Sequence, residues 1–261
     1  MEFTRAQIND GFGPADWYPG DHPQMPDIVA HGRRPDVRAC ALCHYPNGKG
    51  RAENAGVNGL PTTYFIQQML DFRNDNRKSA EPRKRNTNAM AAFAKAMTND
   101  EIKAAAEYFG SMKWTQWIKV IETRTVPKTR IAGGLFLALE SGEQEPLGQR
   151  IIEVPESADA TETFRDPRSG FIAYAPVGSI KKGEALVAAG HCGLCHGTDL
   201  EGLGPVPGIA GRSPSYLVRQ MYDMQQGTRK GLWADLMRQV VTNLSEEDLL
   251  NIAAYTASRM P

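Results

Sequence analysis

All four cysteines of the chain lie in two copies of one five-residue motif. Cys40-Ala41-Leu42-Cys43-His44 is the first copy and Cys192-Gly193-Leu194-Cys195-His196 the second, 152 positions later. Zinc fingers and ribbons place their Cys pairs far closer together than this. A thioredoxin-like redox pair requires a βαβ context, which neither motif has. A disulfide scaffold does not suit a chain of 261 residues with so few cysteines. C-x-x-C-H is instead the attachment signature of c-type haem. Two thiols add across the two vinyl groups of one porphyrin, and the adjacent His is placed under the iron as an axial ligand. The motifs therefore predict two covalently bound haems c, attached at Cys40, Cys43, Cys192 and Cys195, with His44 and His196 on the irons.

The chain repeats itself around the motifs. A shift of 152 lays Val57-Asn58-Gly59 on Ile209-Ala210-Gly211, Tyr64 on Tyr216, Gln68 on Gln220, Met69 on Met221 and Asp71 on Asp223. The shift then falls to 147, because the first copy carries five extra residues around Arg77 to Asn86. Met90 now falls on Met237, Met97 on Leu244, Thr98 on Ser245 and Tyr108 on Tyr255. Two copies of one small domain follow.

Each copy reads as helices. One leads into the motif, clearest at Lys182 to Ala189. A second starts after Pro61-Thr62 and after Ser213-Pro214, where Ser occupies the cap and Pro the first turn. A third starts at Thr98, in the capping box Thr98-x-x-Glu101, and at Ser245, in the variant Ser245-x-x-Asp248. Ile102, Ala105, Ala106 and Phe109 give that helix one apolar face. The expected fold class is all-α.

Position argues for the sixth iron ligand. A thioether opposite His stabilises ferrous iron and raises the potential, as electron transfer requires. The ligand belongs in a loop between the second and last helices, where Met90 and Met237 stand. Met97 is the competitor in the first copy, but its repeat partner Leu244 cannot ligate iron. Met69 and Met221 have apolar helical neighbours and read as core. His22, His31 and His191 read as surface or packing residues.

The two C-x-x-C-H motifs, the Tyr64 and Tyr216 helices and the Met90 and Met237 segments resemble the dihaem cytochromes c of the cytochrome c4 type. The resemblance implies two tandem cytochrome c domains with His/Met haems, over residues 30–113 and 178–261, shuttling electrons between redox proteins in the periplasm. It also implies a Pro carbonyl that fixes the axial His ring. Pro207-Gly208-Ile209-Ala210-Gly211 fits that pattern, whereas the first copy has Ala55 at the Pro position. The sequence departs from the family at residues 114–177, which replace a short linker. Ile118–Val126, Leu135–Glu140, Gln149–Val154 and Phe171–Pro176 are rich in β-branched and aromatic residues. They predict a β-containing connector, a small antiparallel sheet or hairpin packed on one haem domain. Residues 1–29 form an N-terminal arm.

The 30 Lys and Arg balance the 30 Asp and Glu. A uniformly basic nucleic-acid binder is disfavoured. No stretch approaches the ~20 apolar residues of a membrane span. MEFTRAQIND lacks the basic and apolar regions of a secretory signal, so export implies a leader already removed. Residues 30–113 carry a net charge of +6, concentrated at Arg73, Arg77, Lys78, Arg83, Lys84 and Arg85. That run is either a solvated loop or a docking patch for an acidic redox partner. The expected function is electron carriage between a donor dehydrogenase and an acceptor cytochrome or oxidase, with no catalytic residue. A dihaem enzyme of the peroxidase or thiosulfate dehydrogenase type is the alternative, and requires a haem with an open position.

Overall fold

The structure is a computed structural model describing residues 1–261. It divides into two compact units, Met1–Trp114 with Tyr222–Thr242, and Thr115–Met221 with Asn243–Pro261.

The first unit begins with the short helices α1 (Arg5–Ile8) and α2 (Asp27–Ala30) and the haem-motif turn α3 (Cys40–His44). Three twelve-residue helices follow, α4 (Thr62–Arg73), α5 (Arg85–Ala96) and α6 (Asn99–Gly110). Thr98 and Glu101 close the capping box of α6. Ile102, Ala105, Ala106 and Phe109 on that helix are buried, as the 3.6-residue period demands. They join Val29, Val37, Met69, Phe72, Ala94 and Met97 in one core.

The connector is folded, and it belongs to the second unit. Its strands are β1 (Ile118–Glu122), β2 (Thr125–Pro127), β3 (Thr129–Ala132), β4 (Leu135–Ala138), β5 (Gln144–Pro146), β6 (Ile152–Pro155) and, after the short helix α7 (Ala158–Glu162), β7 (Phe171–Ala175). The all-α expectation is thus corrected: the chain is 40% helix and 14% strand. The physical reason lies in residues 114–177, whose alternating side chains bury every second position on β4 and β7. The central sheet, ordered β1-β7-β6, is mixed rather than antiparallel. β1 and β7 run parallel, and β6 and β7 antiparallel. β3 and β4 form a hairpin whose two-residue turn is Gly133-Gly134, both at positive φ, as a turn matched to strand twist requires.

The chain continues through α8 (Ser179–Ala189), the second motif turn α9 (Gly193–His196), the two-residue strands β8 (Gly202–Leu203) and β9 (Val206–Pro207), α10 (Pro214–Gln225), α11 (Leu232–Val241) and α12 (Glu246–Ser258). Of these, α11 falls in the first unit. Ser245 and Asp248 form the capping box of α12. Two connector carboxylates reach helix starts. Glu122 Oε1 on β1 accepts from Ile180 N of α8 at 2.7 Å, and Glu153 Oε2 on β6 accepts from Ser215 N of α10 at 3.2 Å.

The repeat is visible in the backbone. Five pairs of residues 152 apart share left-handed φ: Tyr45 and Gly197, Gly48 and Leu200, Gly50 and Gly202, Gly59 and Gly211, Asp75 and Gly227. Only two of these pairs are glycine in both copies, so conformation repeats where sequence does not.

Helices α8 and α12 meet at Gly183. A Cβ there would stand 2.0 Å from Asn251 O and 2.7 Å from Tyr255 Cβ. Alanine gains at most about 1 kcal/mol of helix propensity over glycine, against about 1–3 kcal/mol or more for forcing packed helices apart. Gly183→Ala should therefore lower the melting temperature by several degrees. Gly20→Ala, with nothing within 4 Å of the added atom, should leave it unchanged.

Candidate haem sites

Each motif folds as a single helical turn. Cys40 opens α3, and Cys192, with helical backbone angles, directly precedes α9. Residues three apart on a helix share a face, so each Cys pair presents both sulfurs to one side. The next residue, the His, closes the turn. The chain then reverses through left-handed Tyr45 in one copy and Gly197 in the other.

This reversal brings a carbonyl from eleven residues downstream onto each imidazole. His44 Nδ1 lies 2.8 Å from Ala55 O, and His196 Nδ1 lies 2.8 Å from Pro207 O. A carbonyl only accepts, so Nδ1 carries the proton and Nε2 keeps its lone pair for a metal. The first-copy tether needs no proline, because the acceptor is the backbone. Neighbouring bonds repeat as well. Val57 N and Asn58 N donate to Gly48 O, and Ile209 N and Ala210 N donate to Leu200 O. Gly59 N donates to Phe109 O, and Gly211 N to Thr256 O.

The electrostatics suit a neutral donor set. Burial is the main cause holding both imidazoles below the ordinary histidine range, partly offset by the carbonyl each ring contacts. Both rings are thus neutral, the ligating form. Burial also pushes the Cys40 thiol up to about 12, and it raises the Cys192 thiol. Such surroundings favour an uncharged thioether over a metal-bound thiolate. No group of three or more His, Cys, Asp or Glu side chains comes together to complete a zinc site around either pair. A buried, uncharged sulfur at Cys40 and at Cys192, each beside a neutral imidazole, fits covalently attached haem.

The methionines require a correction of local structure. Met90 and Met237 stand on α5 and α11 rather than in loops. Met90 is half-buried against the first-unit core, and Met237 is half-buried on a helix of that same unit. Cys192, Cys195 and His196 lie in the second unit. Met97 is deep in the first core at 6% exposure, and Met69 is buried beside it. Met221 packs against the core of the second unit.

Part of the cationic run is engaged within the fold. Arg73 donates to Ala94 O, Met97 O and Asn99 Oδ1, closing the end of α5. Lys78 pairs with Asp75, Arg83 with Glu81, and Lys84 reaches Glu53 O. Arg77 is 9% exposed, and its repeat partner Arg229 is 5% exposed. Both guanidinium groups converge on Gln68 Oε1, at 3.0 and 2.9 Å, and Arg229 also donates to Tyr64 Oη at 2.8 Å. Backbone bonds hold the two segments together, Lys78 N to Thr228 O and Lys230 N to Asn76 O. Composition alone gave no sign of this buried pair. Extending the 152-residue shift six positions past Asp71 and Asp223 would have found it.

The comparisons with known proteins agree with this geometry. The cytochrome c family model matches residues 29–113. Cytochrome c-554(548) of Halomonas halodenitrificans is 44% identical over 71 residues, 27% of this chain and 86% of that protein. The chain therefore belongs to the cytochrome c family. It is an electron-transfer protein with covalently bound haem, similar to the dihaem cytochromes c4. Cytochromes c4 match over less than half of their own length. The crystal structure of cytochrome c4 from Pseudomonas stutzeri superposes with a TM-score of 0.54 at 18% identity, covering 84% of this chain and 93% of that one. A longer sequence match is the thiosulfate dehydrogenase electron acceptor of Stutzerimonas stutzeri, 24% identical over 231 residues, 87% of this chain and 82% of that protein.

Because the tether uses a carbonyl, Ala55→Pro and Pro207→Ala should each leave the ferric low-spin electron paramagnetic resonance g values unchanged. Altered g values would show that the ring at that position, rather than its carbonyl, orients the histidine.

Proposed function

We propose that this chain is a periplasmic carrier with two haems c, one on Cys40, Cys43 and His44 and one on Cys192, Cys195 and His196. Met90 and Met237 supply the sixth ligands. The observation that carries the reading is the pair of matched His–carbonyl tethers at 2.8 Å, each leaving Nε2 to an iron. The domains are residues 30–113 and 178–261, with the arm 1–29 and the connector 114–177. Haem supplies the one-electron couple. The protein's part is to fix each imidazole and close each iron to substrate with a thioether. The buried guanidinium groups of Arg77 and Arg229, held by Gln68 and by the half-buried Tyr64, are suited to haem carboxylates.

The donor we favour is a periplasmic dehydrogenase of the thiosulfate-oxidising class, and the acceptor a further cytochrome or an oxidase. The support is the match to a thiosulfate dehydrogenase electron acceptor, which runs through the connector instead of stopping at the motifs. An electron acceptor of this kind needs no open coordination position, and two His/Met irons offer none.

Met90→Leu and Met237→Leu should each remove about half of the near-infrared Met-to-iron band, whereas Met97→Leu should remove none. Loss of the band in Met97→Leu with retention in Met90→Leu would overturn the first-domain ligand. Mixing the oxidised protein with a thiosulfate dehydrogenase and thiosulfate should reduce both haems in a stopped-flow trace. Failure to reduce either haem would overturn the donor.

A further inference from the structure

β6 is the one connector strand buried along its whole length. Ile152 and Val154 face the connector core with Val126 and Leu147. By the two-residue period, Glu153 faces the other way, and it is only 2% exposed. Its Oε2 accepts from Ser213 Oγ at 2.8 Å and from Ser215 N at 3.2 Å. Ser213 Oγ in turn accepts from Tyr216 N, so one carboxylate oxygen anchors the whole first turn of α10. The other oxygen, Oε1, is buried without a hydrogen-bond partner. A buried carboxylate oxygen in that condition is the natural seat of a proton.

Ser213 ends a loop that begins at Pro207, whose carbonyl tethers His196. Between them the loop is pinned by Ile209 N and Ala210 N to Leu200 O and by Gly211 N to Thr256 O. The seven residues Pro207 to Ser213 thus join Glu153 to the ring of His196.

We propose that Glu153 is a redox-linked proton site that positions the Pro207–Ser213 loop and makes the potential of the second motif's haem depend on pH. The proposal rests on the reading that Cys192, Cys195 and His196 hold a haem. As that iron goes from ferric to ferrous with one electron from the donor protein, the Glu153 carboxylate gains one proton from solvent. The charge of the site is then unchanged. No other bond forms or breaks.

The groups around Glu153 are few. From α10 they are Ser213, Ser215 and the Arg219 guanidinium. Across the ladder β7 places Ala173 opposite it. β4, packed on β6, contributes Leu135 and Leu137 to the buried set. On α7, which abuts β6, Glu162 is paired with Arg130 and Asp159 is exposed. Burial raises the carboxyl above the ordinary Glu range, opposed by the two serines and Arg219. An acid whose folded-state pKa is raised stabilises the fold below its unfolded pKa, and that contribution is lost as pH rises through the folded value.

Spectroelectrochemistry of the intact protein between pH 4 and 8 tests the idea. One of two potentials should fall as pH rises, and Glu153→Gln should flatten that wave alone. Glu153→Gln should also raise the melting temperature more at pH 8 than at pH 4. On the unaltered protein, reduction-minus-oxidation infrared spectra should show a protonated-carboxyl band appearing. An unchanged slope in Glu153→Gln, two pH-independent waves in the parent, or no carboxyl band would each overturn the proposal. A pyridine haemochrome count of one haem per chain would instead show that the haem reading itself fails.

Discussion

Everything at the two motifs depends on a hydrogen bond between the motif imidazole and a carbonyl eleven residues further on. Such a bond contributes only about 1 kcal/mol net to stability. Its importance is geometric, since it selects the tautomer and fixes the plane of the ring. The chain can make it only by doubling back within a dozen residues. That demands left-handed backbone at Tyr45, Gly48 and Gly50 in one copy, and at Gly197, Leu200 and Gly202 in the other. Tyr45 and Leu200 hold a conformation that side chains disfavour. The return loop, rather than the identity of each residue, is what the two copies share.

Much of this was legible in the sequence. The 152-residue shift gave the repeat, and the boxes at Thr98 and Ser245 gave α6 and α12. What escaped had physical reasons. Helices α5 and α11 have no side-chain cap at their starts, Lys84 and Gly231, and the first turn of α5 carries Asn86-Thr87-Asn88, poor helix formers that read as loop. Strands β3 and β5 are short and polar, and each exists through pairing with its partner. Charge counting ignores direction: Arg73 and Arg77, counted with the run, turn inward to carbonyls and to Gln68. The tether on His44 hung on a proline that Ala55 replaces, yet only the carbonyl mattered.

The connector changes what the second motif needs in order to fold. β1 packs against α12, and Glu122 and Glu153 serve the first turns of α8 and α10. Helix starts leave amide groups unpaired, and carboxylates there satisfy both the donors and the helix dipole. The sheet is thus part of the scaffold of the second unit and not a spacer. It also explains why the chain is a mixture of helix and strand although each haem motif sits in helical surroundings.

The central claim is that one folding pattern, used twice, sets up two redox centres in one chain. Coulometric titration of the fully oxidised protein counts them directly. Two electrons per chain, taken up in one-electron steps with both irons low-spin throughout, is the result this account predicts. Uptake of a single electron, or a high-spin iron in either state, would contradict it.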